Sequence, residues 1–254
     1  MKNVRDIRID HIKAEAEKGE DRTQHIHVTD LSRCLAGVWQ EKTGRATQEF
    51  NESKLRRFDA GHIIESRVVE ACEHAKVLLN TQGSLNWEDV NMVGSYDLLL
   101  QEPGDAQVWL VEVKSIHPYG ISHLYKSNKP HEHYAEQVNL YMNKLREEHP
   151  DIKAKLYYEA LDGRTAEFEV EYDVAVVDKA MAKAKTLYDA VVADQIPAPP
   201  ETFIQEDGVW KLNWRVQYCI LSGLHAKCDP DNVLHLDPEK WVNKLTYQAK
   251  KMND

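Results

Sequence analysis

Residues 94–117, GSYDLLLQEPGDAQVWLVEVKSIH, hold two apolar runs parted by a Pro-Gly pair, and this pattern constrains the fold more than any other in the 254-residue chain. Apolar and β-branched runs flanking such a turn predict an antiparallel hairpin, with strands over about 91–100 and 107–116. Side chains two apart in a strand share a face, so Glu112 and Lys114 project with Val108 and Leu110, while Val111 and Val113 project oppositely. The hairpin then sets Asp97 against the Glu112 face. Three charges stand where valine or leucine would be buried at no cost, and isolated ions there lose on the order of several kcal/mol each to desolvation.

Two readings follow: a buried Asp–Glu–Lys ion-pair cluster, or a cation site. Each residue alone favours the ion pair or simple exposure at an edge. Together they favour a hard divalent cation, Mg²⁺ or Mn²⁺, because such ions take carboxylate and carbonyl oxygens and keep several waters. A lysine beside them acts as a point charge for a water or a phosphate oxygen. A divalent cation also lets water lose its proton near neutral pH, and the combination suits phosphodiester hydrolysis.

The remaining pattern is a mixture of helices and strands. Residues 1–27 form a polar extension, and HVTDLSRCLAGVWQEKTG carries Thr29 and Asp30 as candidate N-caps of a helix. ESKLRRFDAGHIIESRVVEACEHAKVL predicts a longer helix in which Phe58, Gly61, Glu65, Val68, Val69 and Cys72 share the apolar face. A helix near 131–149 follows the hairpin, then β-rich runs KAKLYYEAL and AEFEVEYD around Asp162-Gly163, then an alanine-rich helix that IPAPP ends. The division expected is 1–27 extension, 28–200 core, and 201–254 a C-terminal segment packing on the core.

A net charge of −10 argues against nucleic-acid binding through overall positive charge but leaves room for a local basic groove. Charges interrupt every apolar stretch before bilayer-spanning length, and the first residues lack a signal-peptide centre, so a cytoplasmic protein with no membrane partner is expected.

Gln137 and Tyr141, four apart, share one face of the helix near 131–149. With them the chain resembles the PD-(D/E)XK nuclease superfamily in its RecB-like branch. The matching pieces, in order, are GHIIE ending at Glu65, GSYD ending at Asp97, EVK from Glu112 to Lys114, and QVNLY from Gln137 to Tyr141. The resemblance implies an α/β (α+β) restriction-endonuclease-like core, a mixed β-sheet flanked by helices, with helical N- and C-terminal additions. It also implies that Asp97, Glu112 and the Val113 carbonyl hold the metal, that Glu65 completes the shell, and that Lys114 assists attack on DNA. Gln137 and Tyr141 would be the branch signature, the glutamine orienting a phosphate or water and the tyrosine offering a ring to a nucleotide. Glutamate rather than histidine at position 65 resembles the phage recombination nucleases. His62, one turn earlier, is the rival ligand, and the glycine spacing favours Glu65.

Some RecB-like nucleases carry a four-cysteine iron–sulfur cluster. Cys34, Cys219 and Cys228 fit three of the places, but Val216 stands where the family has its second cysteine. Clusters normally need four thiolates, so no cluster is expected unless His225 or Cys72 substitutes, and Trp214, Tyr218 and Cys219 would then form an apolar clasp. Cys72 itself reads as a small core residue.

Local cations available to DNA are Lys114, Lys126, Lys129, Arg56, Arg57 and Arg215. HPYGISHLYKSNKPHEHY interleaves aromatic and basic residues and would either flap over single-stranded DNA or pack on the core. The resulting expectation is a metal-dependent deoxyribonuclease, an exonuclease of recombination, repair or phage DNA processing, with DNA and recombination or replication proteins as partners. The alternatives are a CRISPR-associated spacer-processing nuclease with a degenerate cluster, and a non-catalytic DNA-binding protein on the same fold.

Overall fold

Pro103 and Gly104 set the register of the sheet. Asp105 N–H returns to the Glu102 carbonyl at 3.0 Å, and Gly104 has φ +86°, the backbone that the third residue of a type II turn requires. The turn pairs Leu98 with Val111 and Leu100 with Trp109, the antiparallel hairpin anticipated from the sequence. The structure is a computed structural model that describes residues 3–17, 22–46, 50–206, 208–217, 219 and 238–253.

In chain order, α1 (Val4–Glu17) and β1 (Ile26–His27) precede α2 (Leu35–Lys42) and the long α3 (Glu52–Ala75). Strands β2 (Leu78–Trp87), β3 (Met92–Gln101) and β4 (Val108–Ile116) follow, then α4 (Pro118–Ser127) and α5 (Glu132–Leu145). The chain continues through β5 (Lys153–Ala160), β6 (Thr165–Val170), α6 (Val174–Val192), the hairpin β7 (Phe203–Glu206) and β8 (Val209–Leu212), α7 (Trp214–Gln217) and α8 (Pro238–Lys251). It divides into two compact units, one of Met1–Asp21, Glu49–Trp87 and Val93–Met181, the other of Arg22–Gln48, Glu88–Met92 and Ala182–Asp254.

The first unit is built on a mixed sheet. β3 pairs antiparallel with β4, β4 parallel with β5, and β5 antiparallel with β6, while β2 pairs with β3. Parallel strands need a crossover, and α4 with α5 supplies it between β4 and β5. Val111 and Val113 on one face of β4 pack with Leu98 of β3 and Ile64 of α3. Leu110 and Glu112 face the other way, as alternation along the strand requires. α1 adds Ile9 and Ile12 against Leu55 of α3, with Arg8 bonded to Asp59 at 2.7 Å.

Helix α3 is capped by Asn51, whose side chain accepts the Lys54 N–H at 2.9 Å, and it ends at Lys76, which turns left-handed at φ 60°. The spacing in the sequence predicts this helix as far as Leu78 and no strand at 78–87. The left-handed Lys76 stops it earlier, and β2 begins two residues on. Phe58, placed on the apolar face by spacing, is 45% exposed against the Phe50 ring instead, and Leu55 and Ile64 are the buried residues of the helix.

In the second unit Asp30 is buried among cations rather than capping a following helix. It accepts the His27 N–H, and it pairs with Lys42 at 2.9 Å and with Arg33 at 3.0 Å; Arg33 also grips Glu41. Val216 and Leu245 pack with Phe203 and Leu212, and Asn253 exchanges hydrogen bonds with the Trp210 backbone. Among the described residues no helix is long and apolar enough to cross a membrane.

Candidate active site

Glu112 is the buried centre of the site, only 2% exposed on β4. Its Oε1 accepts from Lys114 Nζ at 2.6 Å and from Gln137 Nε2 at 2.8 Å. Its Oε2 is buried with no hydrogen-bond partner. A carboxylate oxygen so placed is costly, since buried polar atoms are nearly always partnered. Burial accordingly raises the Glu112 carboxyl to about 7, with the Lys114 charge opposing the shift and the Asp97 charge adding to it.

Asp97 enters from β3. The register that pairs Leu98 with Val111 extends by one step to put Asp97 opposite Glu112, and Asp97 Oδ2 accepts the Val113 N–H at 2.8 Å. Burial raises Asp97 too, opposed by Lys114, the Val113 N–H and His62. Burial disfavours the Lys114 ammonium, yet Glu112 and Asp97 outweigh it and hold the group charged, above the usual lysine range. The ammonium also lies 4.8 Å from the centre of the Tyr134 ring.

Helix α5 contributes Gln137 and Tyr141 from successive turns. Gln137 Nε2 is shared between Glu112 and the Tyr141 hydroxyl, the latter at 2.9 Å. Tyr141 is 2% exposed, so its ring cannot meet a nucleotide as the sequence reading supposed; its hydroxyl steadies the glutamine that steadies Glu112. Burial, then the Glu112 charge, pushes its phenol well above the usual tyrosine range.

Glu65, half-buried on α3, is raised first by burial and then by the negative charge of Asp97, and it accepts from the Gln82 side chain of β2. His62 is exposed one turn away, its charge acting on both Glu65 and Asp97. Glycine at 61 admits Ser115 of β4, whose hydroxyl would lie 3.1 Å from a Cβ there. Gln82 and Tyr134 are partners that the sequence reading missed. Tyr134 was findable, lying three residues before Gln137 on the same helix face; Gln82 was not, because β2 went unread.

The fit to a divalent cation rests on the donor set. Among the described residues no three His, Cys, Asp or Glu side chains converge as a closed metal cluster. A Mg²⁺-type ion does not need one, because one or two carboxylates plus waters suffice. Glu112 offers the unpartnered Oε2, and Asp97 uses only Oδ2 on the Val113 amide. The residues therefore fit such an ion. A cavity of about 490 Å³ lined by Cys72, Trp109, Val111 and Tyr157 lies on the Val111 face and includes none of these acids.

Of the remaining candidates, Cys34 and Cys219 are buried side by side with Ala36 in the second unit, and Val216 points into the separate Leu245 cluster. Cys228, His225 and Tyr218 lie outside the described residues. Arg56 is paired with Glu52 at 2.7 Å and Arg215 lies over Trp214, whereas Arg57, Lys126 and Lys129 are exposed. The stretch 117–134 forms α4 and the start of α5.

Comparison with known proteins identifies the family and the fold. Residues 5–219 match the family model of the PD-(D/E)XK nuclease superfamily. The fold is similar to the crystal structure of SSO0001, with TM-score 0.56 and 18% identity over 88% of this chain and 96% of that one. It is also similar to LHK-Exo, an alkaline exonuclease from Laribacter hongkongensis, at TM-score 0.52 and 16% identity over 68% of this chain and 90% of the other. The same exonuclease in complex with dAMP gives TM-score 0.50 and 13% identity over 68% and 90%. A search of curated proteins returns no match.

Proposed function

The chain belongs to the PD-(D/E)XK nuclease superfamily, and from that premise we propose that it is a Mg²⁺- or Mn²⁺-dependent deoxyribonuclease that degrades DNA from ends. The observation that carries the reading is Glu112: a buried carboxylate with one oxygen held by Lys114 and Gln137 and the other without a partner. A cation removes the cost of that oxygen. A polar cluster built only for stability would satisfy both.

Asp97, Glu112 and the Val113 carbonyl would hold the ion, with Glu65 as the outermost acid. When bound, the ion supplies Lewis-acid polarisation of the phosphodiester and a lowered pKa for water. Lys114 keeps its positive charge and sits next to Glu112, so it orients the phosphate oxygens and opposes the negative charge that grows during attack. Gln137 fixes the carboxylate rotamer, and Tyr141 fixes Gln137. An exonuclease similar in fold has been solved with dAMP, which supports a deoxynucleotide strand as substrate. Work in recombination, repair or phage DNA processing, in the cytoplasm and beside recombination or replication proteins, is part of the same proposal.

The test uses end-labelled linear single- and double-stranded DNA and closed circles, each with Mg²⁺, Mn²⁺ or EDTA. Wild type is expected to consume linear DNA only with metal and to spare circles, and Lys114→Ala to lose on the order of 10²–10³-fold in rate. Equal cleavage by the variant, or none by wild type in any metal, contradicts the proposal.

A further inference from the structure

Helix α4 begins two residues after β4 ends, and its outward face is unusual for a solvated helix. Tyr119 is 83% exposed, the most exposed aromatic residue described. The His117 ring stacks on it at 5.3 Å and 22°, and His117 Nδ1 accepts the Tyr119 N–H at 3.3 Å as the helix cap. Gly120 seats the first turn directly on β4, since a Cβ there would lie 2.7 Å from Ile116 Cγ1. Ile121 and Leu124 bury the opposite face, and Arg164 bonds both the Pro118 carbonyl and Ser122. The exposed ring therefore stands on a fixed support.

Positions 119, 123 and 126 follow one another at helical spacing, which aligns Tyr119, His123 and Lys126, all exposed, along one stripe. From there a run of rings leads back to the acids. His123 lies near enough to His131 for its charge, after burial, to act on that imidazole. His131 contacts Tyr134 at 6.0 Å, and Tyr134 carries the Lys114 ammonium on its face. Along the backbone, the three residues from Lys114 to His117 span about 10 Å of strand.

Planar rings interleaved with cations suit one ligand chemistry, unpaired bases joined by phosphates, because every base has a stackable face and duplex bases do not expose theirs. In a chain of net charge −10, base stacking adds to what local cations contribute in holding a polyanion. We propose that the His117–Tyr119 pair on α4 is a stacking platform for an unpaired DNA strand leaving the Lys114 site, so that Tyr119 gives the protein its preference for single-stranded over duplex ends. This rests on the nuclease reading above for the identity of the strand.

The test is fluorescence anisotropy in EDTA with a labelled single-stranded oligonucleotide and with its blunt duplex, for wild type, Tyr119→Ala and Tyr119→Phe. Tyr119→Ala is expected to bind the single strand roughly five- to a hundredfold more weakly, the range of one lost base stack, while Tyr119→Phe retains wild-type affinity. Duplex affinity is expected to change less than twofold. Equal single-strand affinity of wild type and Tyr119→Ala, a parallel loss on the duplex, or no wild-type binding at all overturns the platform. Its failure is distinguishable from that of the nuclease reading: metal-dependent cleavage with unaltered Tyr119→Ala binding removes only the platform, and Tyr119-dependent binding without cleavage in any metal removes only the nuclease.

Discussion

The residues around Glu112 form a chain of dependence in which each group holds the next. Tyr141 has one evident task, to accept from Gln137, and removing its hydroxyl leaves the glutamine one bond short. The net loss of such a bond is about 0.5–1.5 kcal/mol. Tyr141→Phe is therefore expected to keep the fold and to lower kcat on linear DNA roughly two- to tenfold with KM unchanged; an altered KM would mean that the phenol meets substrate. Glu112 itself gives a prediction with a sign. Folded, it keeps its proton up to about 7, whereas the ordinary value is 4.5, so the folded state binds more protons between those values and stability falls as pH rises through that window. Asp97, also raised, acts in the same direction. In EDTA, melting temperatures at pH 5 and pH 8 are expected to fall less for Glu112→Gln than for wild type. A steeper fall in the variant contradicts the account of its burial.

At the scale of elements, α3 and β2 bring Glu65 to the acids, and both depend on short-range geometry. Asn51 caps α3, and Asn51→Ala is expected to cost about 1 kcal/mol of stability in urea unfolding without altering metal affinity. In β2, Gly83 faces the Tyr96 ring so closely that a Cβ would lie 2.0 Å from it. Gly83→Ala must push β2 from β3, and with it Gln82 from Glu65; a loss of about 1–3 kcal/mol is expected on unfolding, and wild-type stability would show that the strands are loosely joined. The legible and illegible elements separate on the same ground. β3 and β4 were readable because apolar alternation and a Pro-Gly turn are local signals. β2, LLNTQGSLNW, alternates weakly and is polar, so what makes it a strand is pairing with β3, which no local pattern encodes. The limit of α3 was set by Lys76 in a left-handed turn, a position where sequence rules look for glycine or asparagine.

For the whole molecule, the proposed function makes charge decide how DNA is held. With a net charge of −10, affinity must come from a few local cations. If Lys114, Lys126 and Lys129 make the phosphate contacts, log Kd against log salt on single strands should have a slope of magnitude about 2. A magnitude of about 5 or more would mean that further cations contact the strand. In the second unit, Asp30 is held ionised: burial opposes its charge, but Lys42 and Arg33 more than offset that and keep its carboxyl below the usual range. The spacing of Asp97, Glu112, Lys114, Gln137 and Tyr141 could be read from sequence because alternation on a strand and four-residue spacing on a helix fix which side chains share a face. What could not be read is depth: that Tyr141 is enclosed, that Tyr119 is not, and that one oxygen of Glu112 lacks a partner all depend on packing between elements distant in the chain.

That unpartnered oxygen is the centre of the account, and calorimetric titration of Mn²⁺ into the metal-free protein addresses it directly. Wild type is expected to bind the ion, and Glu112→Gln and Asp97→Asn to lose that binding while remaining folded. Binding of equal strength in both variants, or no heat of binding in wild type, would contradict the claim that these two carboxylates form a cation site.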